Sequence, residues 1–295
     1  MRCSPAVPLR CKEFCAPADD ISRSHARLAG KFDKMGLHEI MTDKIGLIGE
    51  RINSLLKERG IIARCELLHR IYQAVREADL SDAEMDILRR MVGDRPAPGI
   101  FSSMMSGHPV FPDTPKLDSF IVIHGRIFHF PLSGKYDRPD FERAYETFKR
   151  LRGELLELVR FNLEDLTTDF LIRAGYSQSH RGLGRLSFVK GDDRLEVLVY
   201  PRISMLDVEE CILASELYDS MAAIVPHEEN LDPFMAFYRE HVSHLEDTDV
   251  QIWVANMEEG TIDPFMGFTT DPEIYMAFKN PKLASLVRSR WRFIR

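Results

Sequence analysis

Two acidic clusters are the first candidates for chemistry. Glu228, Glu229 and Asp232 follow one apolar run, and Glu258, Glu259 and Asp263 follow another. Both clusters lead into one phrase: Asp232-Pro233-Phe234-Met235-Ala236-Phe237 recurs as Asp263-Pro264-Phe265-Met266-Gly267-Phe268, 31 residues on. Carboxylates gathered at the strand ends of an α/β sheet can hold a divalent cation through oxygen ligands. The plainer reading is architectural. Asp before Pro at a helix start is an N-cap with Pro at N1, the Phe and Met turn into the core, and the glutamates favour the positive helix end. The repeat spacing is that of one strand–helix–strand step.

Basic residues form the second group. From Lys279 to Arg295 the chain carries Lys279, Lys282, Arg288, Arg290, Arg292 and Arg295 with no acidic residue, and Trp291 and Phe293 interleave with the last arginines. Cations with aromatics suit phosphate contact plus base stacking, although a terminal helix would also gather cations at its own C-terminal end. Arg181 and Arg185 flank Gly182-Leu183-Gly184, a small glycine loop whose backbone N–H groups can cradle a phosphate. Together Lys279, Lys282, Arg288, Arg290, Trp291, Arg292, Arg181 and Arg185 are the candidate nucleic-acid contacts.

Other signatures are thin. His124 and His129 share a hairpin, and His241 and His244 lie one helical turn apart, but neither pair has a third ligand nearby. No Gly-x-Ser-x-Gly, Cys–His dyad or dinucleotide fingerprint occurs. Cys3, Cys11 and Cys15 lack a fourth metal ligand, and five cysteines in 295 residues do not make a disulfide framework, so a reducing, cytoplasmic setting is expected. No cofactor and no resident metal are expected. A net charge of −7 argues against a general nucleic-acid coat or an anionic-membrane binder. No run is long and apolar enough to span a bilayer, and no apolar leader opens the chain.

These residues need elements to hold them. Helical periodicity covers 44–59 and 64–78, and a third helix follows the capping box Ser81–Glu84. Prolines 96, 98, 109, 112 and 115 predict an irregular segment over 94–118. Residues 119–130 read as a hairpin turning on His124-Gly125. Three helices and a hairpin is the element order of a winged helix, so 41–131 is read as one winged-helix-like region. A long helical stripe covers 139–173, with a break read near Asn162. A second hairpin (185–200), a helix (207–219), a strand (221–225), a helix (232–245), a strand (250–256) and a helical tail follow. The expected class is α+β: the small helical region plus a mixed-sheet α/β core with flanking helices over 138–295. Residues 1–40 show no period and are read as a disordered or over-annotated extension, with Met35 and Met41 as alternative starts.

The order of elements over 139–256 resembles the restriction-endonuclease-like core of the PD-(D/E)xK nucleases. That resemblance implies a Glu-x-Lys strand at Leu195-Glu196-Val197-Leu198-Val199-Tyr200, with Glu196 at the glutamate position and Leu198 at the lysine position. It also implies magnesium held by Glu196 with Asp193 or Asp192. Leucine cannot orient a water or steady developing charge. The reading is therefore a non-catalytic, nucleic-acid-associated accessory or regulatory protein on a degenerate nuclease-like core. The alternatives are a divalent-metal nuclease using Glu164, Asp193 and Glu196, for which magnesium would be the cofactor, and a protein-binding scaffold.

Overall fold

The computed structural model describes residues 43–117, 119–131, 133–278 and 286–287. The expectation for residues 1–40, and the tail residues Lys279, Lys282, Arg288, Arg290, Trp291 and Arg292, lie outside them. The described residues from Lys44 onward belong to one compact unit.

The first part comprises α1 (Asp43–Arg59), β1 (Ile62–Ala63), α2 (Arg64–Glu77), α3 (Asp82–Val92), α4 (Pro96–Met105), β2 (Ser119–Ile123) and β3 (Arg126–Phe130). The α3 capping box is complete: Ser81 Oγ accepts from the Glu84 amide, and the Glu84 carboxylate accepts from the Ser81 amide. His124 and Gly125 both adopt positive φ (48° and 75°), as a two-residue hairpin turn requires. Two features depart from expectation. The proline-rich segment is helical over Pro96–Met105, because Pro96 and Pro98 fall in the first turn, where no N–H is needed for an intrahelical bond. Residues 62–63 form a strand that pairs with β3, giving an antiparallel sheet ordered β1-β3-β2.

The second part opens with α5 (Arg138–Arg150) and α6 (Arg152–Arg173). The helical stripe breaks at Leu151, not near Asn162. Then come β4 (Ser177–Gly182), β5 (Arg185–Lys190), β6 (Asp193–Val199), α7 (Val208–Leu217), β7 (Ser220–Pro226), α8 (Asp232–Leu245), β8 (Val250–Asn256), β9 (Thr261–Met266) and α9 (Pro272–Ala277). The six strands lie in sequence order, β4-β5-β6-β7-β8-β9. β6, β7 and β8 are parallel to one another, and the other neighbours are antiparallel. The chain is thus α+β with a mixed sheet. β4 (Ser-Gln-Ser-His-Arg-Gly) was hidden from pattern reading because it is a polar, mostly exposed edge strand.

The helices cover both faces of this sheet. Leu198, Met221, Ala223 and Val225 pack with Cys211 of α7 and Phe234 and Phe237 of α8 in one core cluster. On the other face Phe170 of α6 meets Trp253 of β8, ring centroids 6.0 Å apart.

The repeated phrase takes two conformations. Asp232-Pro233-Phe234-Met235 begins α8, but Asp232 is not its N-cap: Leu231 holds that position in a helical conformation, no side chain caps the helix, and Asp232 and Pro233 are its first two residues. Asp263-Pro264-Phe265-Met266 instead lies in β9, where a helical tail was expected. One more residue separates the glutamates from the second Asp, and Gly260 (φ 64°) closes a hairpin from β8. Pro264 is tolerated because β9 is an edge strand, with a bulge at Ile252/Trp253 opposite it. The residue after the phrase differs accordingly. Gly267 has φ 74°, and a Cβ there would collide with the Val250 carbonyl oxygen and sit 3.0 Å from Gln251 Cα. Ala236 lies exposed inside α8. Gly267→Ala should therefore lower stability by about 2–3 kcal/mol, from strain plus a rigid backbone clash. Ala236→Gly should cost about 1 kcal/mol, from helix propensity alone. Urea unfolding of both variants checks this, and equal losses would contradict the two conformations.

Candidate functional site

The nuclease-type carboxylates come first. Glu164 lies on α6 and is 2% exposed. Its Oε2 accepts from Arg181 Nη2 at 3.1 Å and its Oε1 from the Gly184 amide at 3.0 Å, with Arg160 Nε 3.6 Å away. Glu196, 1% exposed, is held by Arg185 Nε and accepts from Ser187 Oγ at 2.7 Å. The two glutamates are on opposite faces of the sheet. Glu196 is in register with Ser187 and Met221, so it projects to the α7/α8 side, whereas Glu164 belongs to the helix covering the other side. Asp193 is exposed where the β5–β6 turn ends, opposite Lys190. Three residues along a strand put it about 10 Å from Glu196 and on the other face. Leu198 is buried in the α7/α8 core. The structure therefore does not bring Glu164, Asp193 and Glu196 together. Among the described residues no group of three or more His, Cys, Asp or Glu side chains is placed to hold a metal ion.

The glycine loop does cradle an anion, but that anion is Glu164 of the chain itself. Arg181 also pairs with Asp165 at 2.8 Å, and Arg185 lies over the Tyr218 ring as well as against Glu196. Arg181 and Arg185, expected as phosphate contacts, are each paired with carboxylates of the chain, while both side chains keep about two-fifths of their surface exposed. These pairs raise the pKa of both guanidiniums, although partial burial of Arg181 pulls it the other way.

The histidine pairs do not converge either. His124 packs against Tyr145, and its Nε2 is 3.8 Å from Glu142, whereas His129 is buried. His241 lies tilted against Phe237, ring centroids 4.6 Å apart.

The two acidic turns have a shared task instead. Glu258 forms a bidentate pair with Arg64 of α2, both contacts 2.6 Å. The Glu259 carbonyl accepts from Arg95, and the Met257 carbonyl from Tyr72. Glu229 accepts from the Ile127 amide of β3 at 3.2 Å, with Arg126 at 4.0 Å. The turns after β7 and β8 thus fasten the first part of the chain to the sheet.

Between those fastenings lies a cavity of about 80 Å³. Its floor is the chain just beyond the C-terminal ends of parallel strands β6 and β7: Pro201 and Arg202, then Pro226, His227, Glu228 and Glu229. Leu155, Leu156 and Val159 of α6 form one wall, and Cys65, His69 and Arg126 close it from α2 and β3. Arg152 stands exposed at its edge. Burial, reinforced by Arg126 and Arg152, lowers the pKa of Arg202. Burial, opposed by the Ile127 amide and Arg126, raises that of Glu229. Cys65 and His69, one turn apart on α2, are not an activated pair. Burial and the nearby Glu229 push the thiol up to about 12, and burial holds His69 at about 4, so both are neutral at physiological pH.

Sequence reasoning marked Glu228 and Glu229 as strand-end carboxylates but missed Arg126, Arg152 and Arg202. They are spread over 76 positions (126 to 202) in three unrelated elements, and no local pattern joins them. The one available signal was positional: residues just past parallel strands are where α/β sheets bind ligands. Among the described residues no helix is long and apolar enough to cross a membrane. No curated protein matches the chain. Residues 160–280, which run from within α6 past α9 and so take in the whole six-stranded sheet, match the family described as domain of unknown function (DUF6834), C-terminal domain.

Proposed function

We propose that the chain is a non-catalytic, nucleic-acid-associated accessory protein whose sheet is a nuclease-like core stripped of its metal site. One observation carries the reading: the glutamates at the nuclease-type positions are each locked by arginine on opposite faces of the sheet, with Leu198 buried where a lysine would be needed. Two further features support the nucleic-acid part. Residues 43–130 resemble a winged helix, a module that lays a helix against a duplex groove, in their β1-β3-β2 sheet and in the order of α1, β1, α2, α3, β2 and β3, with α4 as an additional helix before the hairpin. The sequence from 279 to 295 is basic and bears Trp291 and Phe293.

The test is fluorescence anisotropy with single- and double-stranded DNA and RNA at several salt concentrations. Affinity should fall linearly on a log–log salt plot, with a slope reduced by about one for each phosphate-contacting cation removed in the joint variant Arg288→Gln, Arg290→Gln, Arg292→Gln. Magnesium should yield no cleavage. Absence of binding at low salt overturns the reading. A protein-binding scaffold would then take its place, with Phe120 and Val122, exposed on edge strand β2, as the contact.

A further inference from the structure

We propose that the cavity lined by Arg126, Arg152 and Arg202 is a binding site for a phosphomonoester, a reading that deepens the nucleic-acid proposal by making a terminal phosphate its ligand. Three arginines share this cavity with two carboxylates, Glu228 and Glu229, and Glu228 acts on Arg202 electrostatically, so positive charge is in excess. Three guanidiniums approach one another from β3, the start of α6 and the segment after β6. Arg202 is partly buried, and neither it nor Arg152 makes a hydrogen bond or ion pair with a described residue. Arg126 reaches only the 4.0 Å contact with Glu229. Arg64 nearby shows what a satisfied arginine looks like here, with two 2.6 Å bonds to Glu258. Like charges held together at a partly apolar wall repel more strongly than in water, and a dianion between them removes that cost. The planar guanidinium fork matches phosphate oxygens two at a time.

Size and the remaining polar atoms narrow the class. A cavity of about 80 Å³ has room for one phosphoryl group. The rest of the ligand must leave past Arg152, which stands in solvent. Glu228 Oε1 and Glu229 Oε1 are buried and accept no hydrogen bond. Carboxylate oxygens need donors, and the hydroxyls of a sugar beside its phosphate supply them. The ligand is therefore an ester of a polyhydroxy alcohol, whether the 5′ end of a nucleic acid strand or a free sugar phosphate.

The experiment uses the full chain. Anisotropy compares one single-stranded oligonucleotide carrying a 5′-phosphate with the same strand carrying a 5′-hydroxyl. Thermal shift is followed in parallel with ribose 5-phosphate and with inorganic phosphate. The expected result is at least about tenfold tighter binding of the phosphorylated strand, equivalent to about 1.4 kcal/mol. That preference should be abolished in Arg202→Gln and weakened in Arg152→Gln, whose exposed side chain can be changed without disturbing the core. Ribose 5-phosphate should raise the melting temperature more than inorganic phosphate does. Equal binding of both strands, unchanged in Arg152→Gln, overturns the cavity proposal and leaves the nucleic-acid reading standing. Stabilisation by ribose 5-phosphate that Arg152→Gln removes, with neither strand bound, keeps the site and overturns the nucleic-acid reading. No response to any probe overturns both.

Discussion

Glu164→Ala is expected to lower the free energy of unfolding by about 3 kcal/mol, whereas Asp193→Ala should change it by less than about 0.5 kcal/mol. The contrast follows from where the two carboxylates sit. Glu164 is 2% exposed and receives a guanidinium N–H from Arg181 and the backbone amide of Gly184. Its removal leaves the Arg160 side chain, 10% exposed, with only the outer carboxylate of Glu157, and strands the Gly184 amide. A buried charge or donor deprived of its partner is costly because water cannot replace that partner. Arg181 keeps Asp165 and Arg160 keeps Glu157, so the loss falls at the lower end of the range for broken buried pairs. Asp193 is exposed and has nothing comparable to lose. Urea denaturation at neutral pH measures both, with Glu164→Gln between them because the amide keeps the shape and one acceptor. A loss under about 1 kcal/mol for Glu164→Ala would mean that the pair is not structural, which would reopen a functional role for the carboxylate.

The same residues show why part of this protein could be read from its sequence and part could not. Helices α1, α2 and α3, the two β-hairpins, α7, α8, β7 and β8 announce themselves by local periodicity, caps and turn residues, because those signals are written within a dozen positions. β1 is two residues long and exists only because β3 comes back to pair with it. β9 contains a proline and repeats a phrase that is helical elsewhere, so tertiary pairing overrode local preference. The site was harder still. Glu164 and Arg181 were each picked out for chemistry, and each is neutralised by the other. A glycine loop suited to an anion was recognised, but which anion fills it depends on a helix 20 residues upstream. Arg126, Arg152 and Arg202 meet only through the packing of β3, α6 and the sheet, a relation invisible to spacing.

Stability should fall as pH drops from 7 to 5, and His129 and His69 should each account for about 2 kcal/mol of the loss. Both imidazoles are buried, and both are held at about 4 against an ordinary value of 6.5. Burial is the principal cause, and the positive charge of Arg64 adds to it for His129. The hydrogen bonding of His69 points the same way. The Asn162 amide nitrogen, which can only donate, faces His69 Nδ1 at 3.1 Å, so that nitrogen must be an unprotonated acceptor. The sign follows from the depressed values. Below 6.5 the unfolded chain takes up protons that the folded histidines refuse, so the stability present above 6.5 drains away as pH falls toward about 4. Glu66, Asp169 and Glu229 act in the opposite direction. Burial raises their pKa values, so the folded chain binds their protons first and gains stability as pH falls toward the ordinary carboxylate range. His227, whose pKa burial also lowers, adds to the loss, so the wild-type slope sums opposed contributions and the clean observable is a difference. His129→Phe keeps an aromatic ring beside Phe120 and removes the titrating group. Urea-unfolding free energies of wild type and His129→Phe, measured from pH 7.5 to 5, should diverge by about 2 kcal/mol in favour of the variant at the acid end. Parallel curves would mean that the folded protein protonates His129 as readily as the unfolded chain does, and that β3 is not packed as tightly as its burial indicates.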